Sequence, residues 1–417
     1  MARRPEVRVE RLTFADRAAV AGTSDVGRAP NAEVAEAPTI RPTDATAVRE
    51  TVRDAIDRSR PLRVVGRGTW MDAGRPMPEL QSIALDTLAG IVDYTPGDLT
   101  LTARAGTSLA EIASATAANG QWLAWTPWGG DRGSLGAAAA TASAGPLSGA
   151  FGGARDIVIG LEAVTGTGDI VRGGGRVVKN VAGFDLTRLM VGAWGTLGIL
   201  TEISVRLRAL PEHDLSVALP VPVTVAQVAH LLTRLRAAAI SPIAMELVGA
   251  TLASTLGLAS QPIIMIRLGG NAEVVVSQRE VLAQFADVLE VKRETWDSLR
   301  TAEPPDASVV RLSGPAARFA ETWATAERIA ALVPGGFAHA TVPRSVARVV
   351  LPNGGGLPEA AGDALAALTR DVRIYERLPR AQWPSLAPSA VVDRLSVGIR
   401  GAFDPHRLLN PGILGES

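Results

Sequence analysis

The chain of 417 residues contains no cysteine. That excludes disulfides, a zinc-thiolate site, an iron–sulfur cluster held by the chain itself and any cofactor tethered through sulfur. Lysine is almost missing too: Lys179 and Lys292 are the only two, and arginine carries the rest of the positive charge. Basic and acidic residues number 42 each, so the formal net charge is zero. Without a basic surplus the chain is not built to take nucleic acid as its main partner. No window approaches the ~20 apolar residues of a membrane-spanning helix, so no span is expected. The N-terminal arginines are not followed by an apolar core, so no secretory signal is read and a cytoplasmic protein is expected.

What is present suffices for a large core, since 47% of the residues are apolar. The length suits two domains, or one large domain with an elaboration. Residues 1–38 mix Ala, Arg, Glu and Pro with little periodicity and read as a loosely ordered arm. Order begins near Thr39 with a short strand, a cap at Asp44 and a helix carrying Val48, Val52 and Ile56. A buried strand over 62–65 runs into a glycine turn. Strands follow over 83–86, 91–94 and 99–104. Ser108 and Glu111 form a capping box that opens a helix, and Gly120 ends it. Residues 157–164 and 170–172 read as a hairpin, Asp185 caps a short helix, and 199–207 alternates as a half-buried strand does.

Pro211 marks an expected boundary. Beyond it the pattern becomes strand, helix, strand: 215–219, 225–238 and 244–248, then more loosely 263–268, 274–285 and 309–312. That is the rhythm of an α+β domain with an antiparallel sheet. The expected division is therefore 1–38, 39–211, 212–395 and a C-terminal segment, 396–417, rich in turn residues.

Several familiar sites fail on spacing. Gly66-Arg67-Gly68 does not continue to a third glycine at the dinucleotide spacing, and neither lysine follows a phosphate loop of the Walker kind. The histidines, His213, His230, His339 and His406, stand apart without metal-ligand spacing, so no metal is expected. What remains is three glycine-rich loops, 66–70, 129–153 and 192–198. One such loop alone is more simply a tight turn. Three within one strand-rich region favour an extended ligand with phosphates, because glycine lets successive backbone N–H groups close around an anion.

The stretches PLRVVGRGTW, LTARAGTSLAEI, GSLGAAAATASAGP, ARDIVIGLEAVTGTGDIV and WGTLGILTEI resemble the FAD-binding domain of the vanillyl-alcohol oxidase, or PCMH-type, flavoproteins. Within that group GGGRVVKNVAGFDLTRLMVGAWGTLGILTE resembles the FAD-binding E subunits of bacterial glycolate oxidases, and FDPHRLLNPG is similar to the group's C-terminal return segment. The resemblance implies an α+β fold: a two-part FAD-binding domain followed by a cap domain with an antiparallel sheet. It implies that Gly66, Arg67, Gly68, Thr69 and Trp70 hold the FAD pyrophosphate. Gly133, Ser134, Leu135 and Gly136 would form a second clamp, Thr141, Ser143 and Gly145 would line the dinucleotide, and Gly198 and Ile199 would lie near one of its ends. A histidine that tethers flavin in some members is replaced here by Thr69-Trp70, so FAD should be bound non-covalently.

Other departures bear on the reaction. The histidines that bind metal and take the substrate proton in the group's 2-hydroxy acid dehydrogenases have no counterpart pair, and Ile413 stands where a lysine often follows Asn-Pro-Gly. His339, Arg344 and Arg377 are the candidates for a base and a carboxylate-binding cation. The resemblance places the chain beside a second flavoprotein and an iron–sulfur subunit, acting on a small 2-hydroxy acid. Two other readings stay open: a free-standing FAD-dependent dehydrogenase, and a scaffold that keeps the fold without flavin. For Lys179 and Asn180, a charge offered to flavin or partner and a simple surface turn are balanced readings.

Overall fold

The structure is a computed structural model that describes residues 39–175, 185–352, 357–368, 372–387, 389 and 391–415. The arm 1–38 and the pair Lys179 and Asn180 lie outside the described residues. Among those described, no helix is long and apolar enough to cross a membrane.

The first part begins with the helix Ala45–Asp57. Asp44 caps it by accepting from the Ala47 amide at 2.8 Å, and its Val48, Val52 and Ala55 are buried. The expected strand at Thr39 and Ile40 is only a bridge: Ile40 pairs with Ile83, and Pro42 has no N–H with which to prolong a ladder. Leu62–Val65 and Gln81–Ala84 form a two-stranded parallel sheet. A five-stranded antiparallel sheet follows, ordered Ile91–Thr95, Thr100–Arg104, Gly198–Arg206, Val158–Thr165 and Ile170–Gly174. One apolar core joins the two sheets, with Leu62 and Ile83 from the small one and Leu101, Ile203 and Val205 from the large one.

The second part is an eight-stranded sheet, antiparallel at every pairing. Its order is Leu289–Val291, His213–Pro220, Ile263–Gly270, Ala244–Val248, Phe337–Thr341, Val346–Leu351, Ser308–Ser313 and Val372–Arg377. The α+β class expected from the strand–helix rhythm is the class observed. Because strand side chains alternate, Met245 and Leu247 enter the core beneath the helices Val225–Ala237, Ala272–Ala283 and Phe319–Ala330. Ala244 and Val248 enter the other core instead, where they meet Ala124, Trp128 and Leu147 of the first part. The sheet therefore turns one face to its own helices and the other to the glycine loops.

The C-terminal segment returns to the start. After the helix Arg394–Phe403, the buried Asp404 carboxylate accepts from the Leu408 and Leu409 amides, both at 3.0 Å. This bends the chain so that Leu409 bridges to Leu62 in parallel.

Candidate functional site

The strand Leu62–Val65 delivers the first glycine loop to the wall of a cleft. Gly66, Arg67, Gly68, Thr69 and Trp70 line it, facing Gly136, Thr141, Gly198 and Leu200. Its enclosed volume is about 120 Å3. Gly68 has a φ of +70°, and a Cβ built on it would meet nothing within 4 Å. Among the described residues, no hydrogen bond takes up the N–H groups of Gly68 and Thr69. Unclaimed amides next to a glycine that leaves space open are the makings of an anion cradle.

The second loop is pressed against the first. Ser134 caps the helix Leu135–Thr141, and its Oγ would lie 2.5 Å from a Cβ on Gly66. Gly133 also faces the first loop, its built Cβ falling 3.6 Å from Thr69 Oγ1. Gly136 packs so closely that a Cβ would stand 2.8 Å from the Ala105 carbonyl oxygen. The third loop adds Trp194, whose ring stacks with Trp70 at 6.2 Å between centroids. Asn410 closes the end: its Oδ1 accepts from the Val64 amide at 2.7 Å and its Nδ2 donates to the Trp194 carbonyl at 2.8 Å.

Six of the residues expected at the ligand do not border the cleft itself: Gly133, Ser134, Leu135, Ser143, Gly145 and Ile199. The side chains of Leu135 and Ile199 are fully buried in the core, and it is the neighbours Gly136, Gly198 and Leu200 that border the cleft. Ser143 accepts from Trp125 Nε1 through its carbonyl, at 2.7 Å. Gly145 abuts the Thr126 carbonyl, 1.7 Å from where a Cβ would sit. Ser143 and Gly145 thus shape the turn between the cleft and the second part.

On the face of the large sheet turned to the loops, the register sets His339 opposite Arg348 and Arg348 opposite Arg311. Glu303, on the loop after the helix Glu294–Arg300, gathers this row. Its carboxylate accepts from Arg348 Nε at 2.6 Å and Nη2 at 3.1 Å, from Arg377 Nη2 at 2.9 Å, and lies 3.4 Å from His339 Nε2. Arg377 also donates to Asp72 at 2.9 Å, tying the sheet to the chain just beyond the first loop. So the structure brings His339 and Arg377 together through Glu303, a residue that sequence reasoning passed over because a lone Glu before two prolines carries no pattern. Arg344 stands apart from them, on the rim of a cavity in front of Arg348.

Charge in this cluster is set by burial and pairing. Burial alone would raise the Glu303 carboxyl, but the Arg348 guanidinium and His339 outweigh it and hold it well below the usual carboxylate range. Burial works against a charged imidazole at His339, yet the flanking Glu246 and Glu303 carboxyls raise it above its ordinary value. Glu246 is fully buried 3.9 Å from His339 Nδ1, too far for a hydrogen bond, and burial pushes its own carboxyl up. The arrangement sets the His339 ring between two buried carboxyls whose affinities for a proton are pushed in opposite directions.

The cleft, its three glycine walls and the large sheet beside it belong to an α+β fold with counterparts among known proteins. Residues 37–174 match the FAD binding domain family. The chain is similar to glycolate oxidase subunit GlcE of Escherichia coli, 42% identical over 41% of this chain and 49% of that one. It is also similar to the mitochondrial D-lactate dehydrogenase [cytochrome] of Arabidopsis thaliana, 32% identical over 39% of this chain and 32% of that one. These matches span about half the length of the curated relatives, or less. In fold it is similar to p-cresol methylhydroxylase, with a TM-score of 0.73 at 15% identity over 91% of this chain and 88% of that one.

Proposed function

We propose that the chain is a flavin-binding subunit of the glycolate oxidase E type, taking part in 2-hydroxy acid oxidation beside a second flavoprotein and an iron–sulfur subunit. The observation that carries the accessory place is His339: it is 1% exposed and enclosed by the Glu246 and Glu303 carboxyls and the Trp128 ring, out of reach of a substrate hydroxyl. The similarity to GlcE gives the assembly its type. A cytoplasmic setting and the division at residues 39–211, 212–395 and 396–417 belong to the same proposal.

Bound FAD would supply the acceptor for a hydride. The unclaimed amides of Gly68 and Thr69 would bind its pyrophosphate, Trp70 and Trp194 would cover an apolar portion, and Asn410 would hold the wall that Val64 builds. Thr69 and Trp70 offer no tethering group, so the cofactor should come away intact. The purified chain should show flavin absorbance bands, and acid precipitation should leave all colour in the supernatant. A colourless native protein would sink the flavin reading, and colour retained in the pellet would sink non-covalent binding.

Gly68 provides the cleaner mutational probe. Gly68→Val places a branched side chain where the structure has open cleft, on a backbone that disfavours it by ~1 kcal/mol or more. Flavin content should fall severalfold while the far-ultraviolet circular dichroism stays native. Gly136→Val should instead destabilise the fold itself, because its methyls meet the Ala105 carbonyl. Full flavin loading in a folded Gly68→Val protein would remove the first loop from the site.

A further inference from the structure

A cavity of about 520 Å3 opens between the second glycine region and the charged face of the large sheet. Among the described residues five arginines line it, Arg155 and Arg188 from the first part and Arg311, Arg344 and Arg348 from the second, against a single carboxylate, Asp156. That carboxylate is occupied locally, accepting from the Gly153 amide at 2.9 Å.

Most of the cations are also committed. Arg348 is held by Glu303, Arg155 donates to the Val191 carbonyl at 3.2 Å, and Arg188 pairs with Asp185 at 3.5 Å. Arg311 and Arg344 differ. Arg311 reaches one carboxylate oxygen, Glu376 Oε1, at 3.4 Å, while the other oxygen of Glu376 serves Arg348 at 2.7 Å. Arg344 ends the 3-10 turn Val342–Arg344 and has no ion pair among the described residues. Burial, with Arg348 and Arg344 nearby, lowers Arg311 below its ordinary value despite Glu376, as expected where cations outnumber counter-ions.

We propose that this cavity receives a compact organic carboxylate, gripped by Arg311 and Arg344. Guanidinium groups match a carboxylate in paired, charge-assisted hydrogen bonds, and the volume suits a small acid. The inference rests on the oxidoreductase reading and assigns its acid-binding residues. It also separates binding from proton removal: among the described residues no histidine, lysine or tyrosine lines the cavity, and His339 packs against Trp128, ring centroids 4.4 Å apart.

The test uses the full chain with its flavin content measured beforehand. Oxalate and glycolate are titrated by calorimetry, with chloride at equal ionic strength as the control. Saturable binding is expected, weakened about tenfold or more in Arg344→Met and in Arg311→Met, with flavin content unchanged. Arg344→Lys should retain an intermediate affinity. Arg344 is exposed, so its variants keep the test informative even where Arg311→Met fails to fold. No saturable binding to the parent chain, or equal affinity in a folded Arg344→Met, would overturn the proposal. Loss of flavin from Arg344→Met would also overturn it, since the arginine would then serve the cofactor's phosphates. A colourless protein that still binds oxalate through Arg344 would uphold the cavity and reject the flavin reading, so the two fail separately.

Discussion

Replacing Glu303 by alanine should cost about 3–5 kcal/mol of stability, the usual result of stripping one partner from a buried ion cluster. Glu303 receives three of its hydrogen bonds from two arginines that are 3% and 5% exposed in their side chains, and its loss leaves those charges facing each other and His339 in a dry interface. Arg348 retains Glu376 and Arg377 retains Asp72, which keeps the cost from rising further. The exposed pair Arg41 and Asp86 offers the contrast, and Asp86→Ala should change stability by less than ~1 kcal/mol. The sign with pH is fixed by the depressed Glu303 carboxyl. Its contribution is complete above the unfolded carboxyl value and is lost only as pH falls through the much lower folded one. The gap between parent and variant, measured by urea denaturation, should therefore persist down to about pH 5. A gap below ~1 kcal/mol at neutral pH would mean that the cluster is hydrated and not the rigid seat described.

The isolated chain should oxidise glycolate and D-lactate poorly. Absence of a positioned general base commonly costs about 10²–10⁴ in rate, and the base suggested by type, His339, is enclosed by Glu246, Glu303 and Trp128. With no cysteine, electrons cannot enter a cluster of the chain's own, so they must leave for another chain or a diffusible acceptor. Mixed anaerobically with either acid, the purified flavoprotein should bleach slowly or not at all. Rapid bleaching without other subunits would make it a complete dehydrogenase and end the accessory reading. The arginine cavity predicts a separable result in the same experiment: acid bound, yet flavin still oxidised.

Legibility in the sequence followed the range of the interactions. Local signals carried well. The Ser108 cap accepts from the Glu111 amide, Asp185 caps Leu186–Met190, and Gly120 and Gly192 both end their elements with positive φ. The first loop entered the reading only together with the other two, since one glycine run alone is more simply a tight turn. Phe337–Thr341 and Val346–Leu351 were passed over, although both are central strands of the large sheet. Lying between two covered faces, they show apolar residues on both sides of the pleat and lose the alternation that betrays a half-exposed strand. The charged row was invisible for another reason. Glu246, Glu303, His339, Arg348 and Arg377 converge only once the strands have paired, and no spacing along the chain anticipates a register across them.

Asn410 bonds to the Val64 amide across a separation of 346 residues, and Leu409 completes the edge of the parallel pair that carries the first loop. The cleft therefore has a wall that does not exist until residue 410 has been synthesised. Loop closure over such a distance is slow relative to local helix formation, so this wall should be among the last features to form. Flavin acquisition would then wait on synthesis past Asn410, and a chain broken off before it would fold much of its sheet yet stay uncharged with cofactor.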